Sequence, residues 1–214
     1  MRKEEVSVPV GKSTIEGNLT IPSGADSIVL FAHGSGSGRF STRNQYVARV
    51  LNESGIGTFL VDLLTKEEEE ADTETGEYRF NINLLAERLV ATTEWLKKNP
   101  ATKGLAVGYF GSSTGAAAAL IAAARFPKDV RTIVSRGGRP DLASQQLHKV
   151  HVPTLFIVGR RDTEVLELNK EAMAQVPAEK RLEIIPGATH LFEEPGKLEE
   201  VARLSAKWFS AHLR

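Results

Sequence analysis

The 214-residue chain has 27 basic and 27 acidic side chains, a formal net charge of zero, and 41% hydrophobic residues. This composition suits a domain with a sizeable core and argues against a disordered chain, a coiled-coil rod or a basic platform for nucleic acid. Because cysteine is absent, disulfides, thiolate metal sites and a cysteine nucleophile are excluded.

Short apolar runs alternate with helical patterns along the chain. Strands are predicted at residues 6–10, 14–21, 27–33, 56–61, 105–110, 130–135, 152–158 and 181–185. Helices are predicted at residues 41–54, 81–98, 113–125, 163–175 and 195–213, with a polar segment at 62–80 and a turn at 136–140. The alternation predicts an α/β fold: a mostly parallel sheet with helices on both faces and an antiparallel edge formed by the first two strands. No repeat or linker interrupts the pattern, so residues 1–214 are predicted to form one domain.

The segment Gly111-Ser112-Ser113-Thr114-Gly115 fits the pattern G-x-S-x-G. It lies where a buried strand turns directly into a helix, which is the context that a nucleophile elbow requires. In such a turn the serine adopts a strained conformation, and its neighbours two positions away must be small. Ser113 is therefore the predicted nucleophile, and the alternative is a plain glycine-rich turn.

A nucleophilic serine needs a base, and the base needs an orienting carboxylate. His190 follows the strand at 181–185, and Asp162 follows the strand at 152–158, so both are predicted at the carboxyl edge of the sheet, where ligands bind in open α/β sheets. The chain order Ser113, Asp162, His190 favours a triad. The alternatives are a surface histidine, a helix N-cap for Asp162, and Asp141 as the acid.

Two N–H donors are needed for the oxyanion. We expect one from the backbone of Thr114, directly after the nucleophile. The other is expected from the glycine-rich loop after the strand at 27–33, where the Ser35 N–H is favoured and the Gly36 N–H is the alternative.

These segments resemble the α/β-hydrolase superfamily, and within it the dienelactone-hydrolase-like branch. The matching pieces are FAHGSGSG at 31–38, GYFGSSTG at 108–115, VGRRD at 158–162 and PGATHLF at 186–192. The resemblance implies an eight-stranded sheet with the second strand antiparallel, Ser113 as nucleophile, Asp162 as acid and His190 as base. Only a short segment follows the sixth strand, so we expect no cap domain. Dienelactone hydrolases use a cysteine nucleophile, which this chain lacks.

Three further residues are candidates for lining a substrate pocket: Arg79, Phe80 and Arg136. Arg136 is the candidate for binding a substrate carboxylate, with a structural ion pair as its alternative. Residues 67–77 hold seven acids in eleven positions and are interpreted as a solvated loop; placed at the site, they would disfavour anionic substrates.

Two other kinds of site receive little support. The pair Gly34-x-Gly36 after a strand suggests a dinucleotide site, but the third glycine falls one position early. His148 and His151 suggest a metal, but no third ligand lies nearby in sequence. We therefore expect no cofactor and no metal.

The sequence predicts a serine hydrolase that cleaves carboxylic esters or thioesters of small substrates through an acyl-enzyme. The alternatives are an acyltransferase or perhydrolase using the same triad, and a non-catalytic binding protein that keeps the fold. With no signal peptide and no 18-residue apolar stretch, we expect a cytoplasmic protein without membrane or nucleic-acid partners.

Overall fold

The structure, a computed structural model, describes residues 1–213 and places eight strands in one sheet. The strands are β1 (Arg2–Val10), β2 (Ser13–Ile21), β3 (Ser27–Ala32), β4 (Gly57–Val61), β5 (Ala106–Ser112), β6 (Val130–Arg136), β7 (Thr154–Gly159) and β8 (Lys180–Ile185). Their order across the sheet is β1-β2-β4-β3-β5-β6-β7-β8. β2 runs antiparallel to β1 and β4, and the other neighbouring pairs are parallel. The predicted α/β-hydrolase sheet is confirmed.

Helices cover both faces of this sheet. They are α1 (Thr42–Glu53), α2 (Lys66–Thr75), α3 (Ile82–Lys98), α4 (Thr114–Arg125), α5 (Thr163–Gln175) and α6 (Lys197–His212), with a 3-10 helix at Pro140–Lys149. One apolar cluster joins the sheet to α3 and α4, and a second joins it to α1 and α6. The predicted placement of helices on both faces is confirmed.

The central strands and the helix α4 are buried along most of their length, which explains their apolar sequences. Every residue of β3 and β7 is buried, as expected for parallel strands covered on both faces. In α4, residues 114–123 are all buried, and the alanines among them let the helix axis approach the sheet closely. This close approach presents the N-terminus of α4 at the carboxyl end of β5.

The segment between β4 and α3 differs from the prediction. The sequence analysis interpreted residues 67–77 as a solvated loop, and this is wrong, because most of them belong to α2. Thr65 and Glu68 form a capping box, in which each side chain accepts a hydrogen bond from the other residue's backbone N–H. Gly76 ends the helix in a left-handed conformation with φ of 67°.

The segment between β6 and β7 contains the 3-10 helix Pro140–Lys149, where only a turn at 136–140 was predicted. In the described chain no cap domain is inserted there, as the sequence analysis expected. The loops after β3, β5, β6, β7 and β8 consequently meet at one open edge of the sheet. Among residues 1–213, no helix combines the length and the apolar composition needed to cross a bilayer.

Candidate active site

Ser113 occupies a strained turn between β5 and α4. Its backbone has φ of 50° and ψ of −122°, a region that non-glycine residues rarely adopt. The two glycines of the motif are required by packing: a Cβ at Gly111 would lie 2.4 Å from the Cα of Ala116, and a Cβ at Gly115 would lie 2.2 Å from the carbonyl oxygen of Ala32. The sequence G-x-S-x-G therefore forms a sharp strand-to-helix elbow.

Backbone contacts from two neighbouring loops hold this elbow. The Ser113 N–H donates to the carbonyl of Arg136 at 3.3 Å, and the Arg139 N–H donates to the Ser113 carbonyl at 3.1 Å. On the other side, a Cβ at Gly34 would lie 3.0 Å from the Ser113 Cβ. The loops after β3 and β6 therefore flank Ser113 directly.

Asp162 and His190 form a hydrogen-bonded pair. The Nδ1 of His190 lies 2.6 Å from Oδ2 of Asp162, and the Asp162 side chain is 14% exposed against 37% for His190. Asp162 occupies the N-cap position of α5, but its side chain makes no capping hydrogen bond. The carboxylate faces the imidazole instead, which places the proton on Nδ1 and leaves Nε2 as an acceptor.

His190 packs against the same segment that holds Ser113. The position of a Cβ at Gly137, directly after Arg136, lies 3.5 Å from both Nδ1 and Cε1 of the His190 ring. Within residues 1–213 no hydrogen bond joins the Ser113 hydroxyl to the imidazole. Asp141, the alternative acid, binds the Arg139 guanidinium through both carboxylate oxygens, at 2.9 and 2.7 Å.

The glycine-rich loop after β3 is anchored by a buried histidine. The Leu63 N–H donates to Nε2 of His33 at 3.0 Å, so Nδ1 carries the proton and donates to the Gly34 carbonyl at 2.9 Å. Burial lowers the pKa of His33 and keeps the ring neutral. This ring ties the loop after β3 to the loop after β4, a role that the sequence analysis did not anticipate.

The two residues predicted to form the oxyanion hole contact each other. The Ser35 N–H donates to the Thr114 hydroxyl at 3.0 Å, so the favoured N–H already has an acceptor. The Gly36 N–H, the sequence-based alternative, has no protein acceptor within residues 1–213. Gly36 has φ of 70°, a conformation that suits glycine and explains its place in the loop.

The predicted pocket residues lie in three different environments. Arg79 donates to the carboxylate and to the backbone carbonyl of Asp72, a buried acid on α2. Phe80 is 61% exposed and does not line the cavity described below. The sequence analysis missed the pair of Arg79 with Asp72, because Asp72 lies in a run of polar residues. The capping-box pattern from Thr65 to Glu68 could have indicated α2, the helix in which Asp72 is buried.

Arg136 is buried beneath the site and has no carboxylate partner in the described chain. Its guanidinium donates to Oδ1 of Asn44 at 3.4 Å and lies 5.9 Å from the ring centroid of Phe192. Burial, with a smaller effect of the Arg43 charge, lowers the Arg136 pKa to about 10. Phe192 is itself buried with φ of 57°, so this packing holds a strained residue two positions after His190.

A cavity of about 680 Å³ opens beside the elbow. Its walls are the loop after β3, the first turn of α1, one side of α2, and single residues from the segments around α2 and α3. Ser113 and His190 do not line it, but Gly34 does, and Gly34 lies so close to Ser113 that an added Cβ would approach the Ser113 Cβ to 3.0 Å. Within residues 1–213 no group of three or more histidine and acidic side chains is arranged to hold a metal ion.

Comparison with known proteins gives a consistent family assignment. The dienelactone hydrolase family matches residues 15–212. A crystal structure described as dienelactone hydrolase from Anabaena variabilis is 57% identical, covers 100% of this chain and 99% of that chain, and superposes with a TM-score of 0.98. Est1E from Butyrivibrio proteoclasticus is 15% identical over 97% of this chain and 98% of its own, with a TM-score of 0.82, and shows the fold alone.

A curated relative from Mycobacterium tuberculosis carries the name phosphoribosyl transferase. It is 55% identical over an alignment of 213 residues that covers 100% of this chain, after rounding, and 47% of the relative. The chain therefore spans about half the length of the curated relatives it matches.

Proposed function

The chain belongs to the dienelactone hydrolase family, and on that premise we propose that it is a serine hydrolase of carboxylic esters or thioesters. The observation that carries the proposal is the 2.6 Å contact between Asp162 and His190 at the sheet edge that also holds the Ser113 elbow. A serine hydroxyl is a weak nucleophile until a base removes its proton, and a histidine oriented by a carboxylate is the commonest such base.

In the proposed mechanism, Nε2 of His190 takes the Ser113 proton as the serine oxygen attacks the acyl carbon. Asp162 holds the imidazole tautomer and stabilises the imidazolium that forms. The His190 proton then passes to the leaving alcohol or thiol, and the bond to the leaving group breaks. A water activated by the same ring hydrolyses the acyl-enzyme and restores Ser113.

The negative charge on the acyl oxygen is stabilised at the N-terminus of α4. We assign the Thr114 N–H as one donor, because it directly follows the nucleophile at the start of a helix. We assign the Gly36 N–H as the second, because it has no acceptor in the described chain and lines the cavity. The Ser35 N–H is held by Thr114 and places the loop.

Replacement of the nucleophile tests the mechanism. We expect Ser113→Ala to abolish turnover of p-nitrophenyl acetate, because the sequence contains no second serine at the centre of a G-x-S-x-G segment. The matched control is Ser112→Ala, which removes a hydroxyl one position away and should leave most of the activity. Wild-type turnover in Ser113→Ala, measured as release of p-nitrophenol, would overturn the proposal.

The names of the relatives bear on the choice of activity. A lactone is a cyclic ester, so the name of the Anabaena protein falls within the proposed reaction class. For the Mycobacterium relative, we propose that phosphoribosyl transfer belongs to the half that this chain does not match, since the elbow and the pair of Asp162 with His190 lie in the matched half. Acyl transfer or perhydrolysis by the same triad is distinguished by product analysis with competing acceptors.

A further inference from the structure

The cavity beside the elbow is lined mainly by polar residues. Five of its lining side chains carry hydroxyl groups, namely Ser35, Ser37, Ser41, Thr42 and Thr73, and only Leu64 and Leu85 are aliphatic. The rest of the wall consists of glycines, His33 and four charged residues. An acyl chain of many methylenes would find only these two aliphatic side chains to pack against.

Several polar groups of this wall are free to bind a ligand. The hydroxyls of Ser35, Ser37 and Thr42 make no hydrogen bond to the protein within residues 1–213, and neither does the Gly38 N–H. The other two hydroxyls are used locally: Ser41 caps α1, and Thr73 donates to the Glu69 carbonyl at 2.9 Å. Hydroxyls both donate and accept, so this wall matches a ligand that does the same.

The charges of the cavity do not favour an anion. Arg79 is engaged by Asp72, and Arg43 pairs with Glu193 at 2.9 Å. Glu69 has no cationic partner within 4 Å in the described chain, and partial burial followed by the charge of Asp62 raises its pKa. A substrate carboxylate or phosphate would be repelled by the Glu69 carboxylate, and the guanidinium groups of Arg43 and Arg79 are already paired with acidic side chains.

We propose that the cavity binds an uncharged polyhydroxylated group, so that the ester cleaved at Ser113 joins a small acyl group to a sugar-like alcohol. This rests on the proposed function and adds the identity of the leaving group. The substrate places its carbonyl at the elbow, where Gly34 lies next to Ser113, and its hydroxyl-bearing ring along the wall formed by the loop after β3, α1 and α2.

The first test compares three substrates. We expect a higher kcat/KM for 6-O-acetylglucose than for ethyl octanoate, whose long chain would meet only two aliphatic side chains in the cavity, or for monomethyl succinate, which carries a carboxylate. A second readout does not depend on turnover: 6-O-acetylglucose should bind Ser113→Ala in calorimetric titrations. Equal or better turnover of the octanoate or succinate ester, or no binding of the sugar ester, would overturn the proposal.

A pair of threonines on α2 provides a matched steric test. Thr73 and Thr75 are both exposed and both donate to the carbonyl four residues earlier, but only Thr73 lines the cavity. We expect Thr73→Leu to raise KM for 6-O-acetylglucose about fivefold and to change kcat for the same substrate little, because the side chain would contact the bound substrate and the transition state alike. Thr75→Leu should change neither. Equal effects of the two variants contradict the placement of the sugar-like group.

The two proposals fail in different ways. If p-nitrophenyl acetate is hydrolysed in a Ser113-dependent manner and the sugar ester is neither bound nor cleaved, the hydrolase stands and the leaving-group assignment falls. If p-nitrophenyl acetate is not hydrolysed at all, the proposed function falls, and binding of the sugar ester still decides the nature of the cavity.

Discussion

Thr114 contributes its side chain as well as its backbone to the elbow. Its hydroxyl accepts the Ser35 N–H at 3.0 Å and so fixes the peptide next to the proposed donor Gly36. Thr114→Val keeps the shape of the side chain but leaves that buried contact unmade. We expect kcat for p-nitrophenyl acetate to fall about tenfold or more, since one misplaced oxyanion donor costs about 10²–10³ in rate.

Rescue by the conservative variant separates positioning from general packing. Thr114→Ser retains the acceptor and should keep most of the wild-type kcat, with KM little changed in both variants. If Thr114→Val is faster than the wild type, the hydroxyl competes for the Ser35 N–H rather than placing the loop, and this account of Thr114 is wrong.

At the residue scale, the sequence identifies those residues whose role depends on a local pattern. Ser113 is marked by its glycines, and the pairing of Asp162 with His190 follows from strand ends that meet at one edge. Their catalytic roles stay predictions. Arg136 was not predictable in the same way, because its position 5.9 Å from the Phe192 ring centroid depends on the approach of segments distant in sequence.

At the scale of elements, buried apolar runs make strands easy to predict. The run at 27–33 and the run at 152–158 match β3 and β7 to within two residues at each end, because strands covered on both faces are apolar throughout. α2 was missed for the opposite reason: it buries only Asp72, so it has no apolar stripe that periodicity could detect. The sequence indicates the ends of α2 through its capping residues instead: Thr65 and Glu68 at the start and Gly76 at the end.

His33 joins the loop after β3 to the loop after β4, and its burial makes the stability of the fold depend on pH. Its folded pKa is lowered by burial, whereas in the unfolded chain it titrates near the ordinary value of about 6.5. Below that pH the unfolded chain binds more protons at this site than the folded one, so stability is complete above about pH 6.5 and falls as the pH drops. We expect the melting temperature to decrease from about pH 7.5 to about pH 5.5 for this reason.

A pair of variants isolates this contribution. His33→Gln should melt lower at neutral pH, because it loses the contacts to Gly34 and Leu63, and its melting temperature should depend less on pH. His148→Gln, at an exposed position, should keep the wild-type dependence. An unchanged slope in His33→Gln would contradict the assignment.

At the scale of the whole molecule, every group that the proposed mechanism uses lies at one edge of the sheet. Ser113, Asp162 and His190 follow β5, β7 and β8, while the proposed oxyanion loop follows β3. All of them lie in the region shared with relatives about twice as long. The account therefore predicts that this chain alone is sufficient for the covalent step.

Labelling with a fluorophosphonate tests that claim most directly. An activated serine oxygen bonds to phosphorus and fluoride leaves, so the account predicts one adduct per chain, located at Ser113 by peptide mass spectrometry. The adduct should form far more slowly in His190→Ala, which lacks the base. An unlabelled wild-type chain, an adduct at another residue, or labelling of His190→Ala at the wild-type rate would contradict the account.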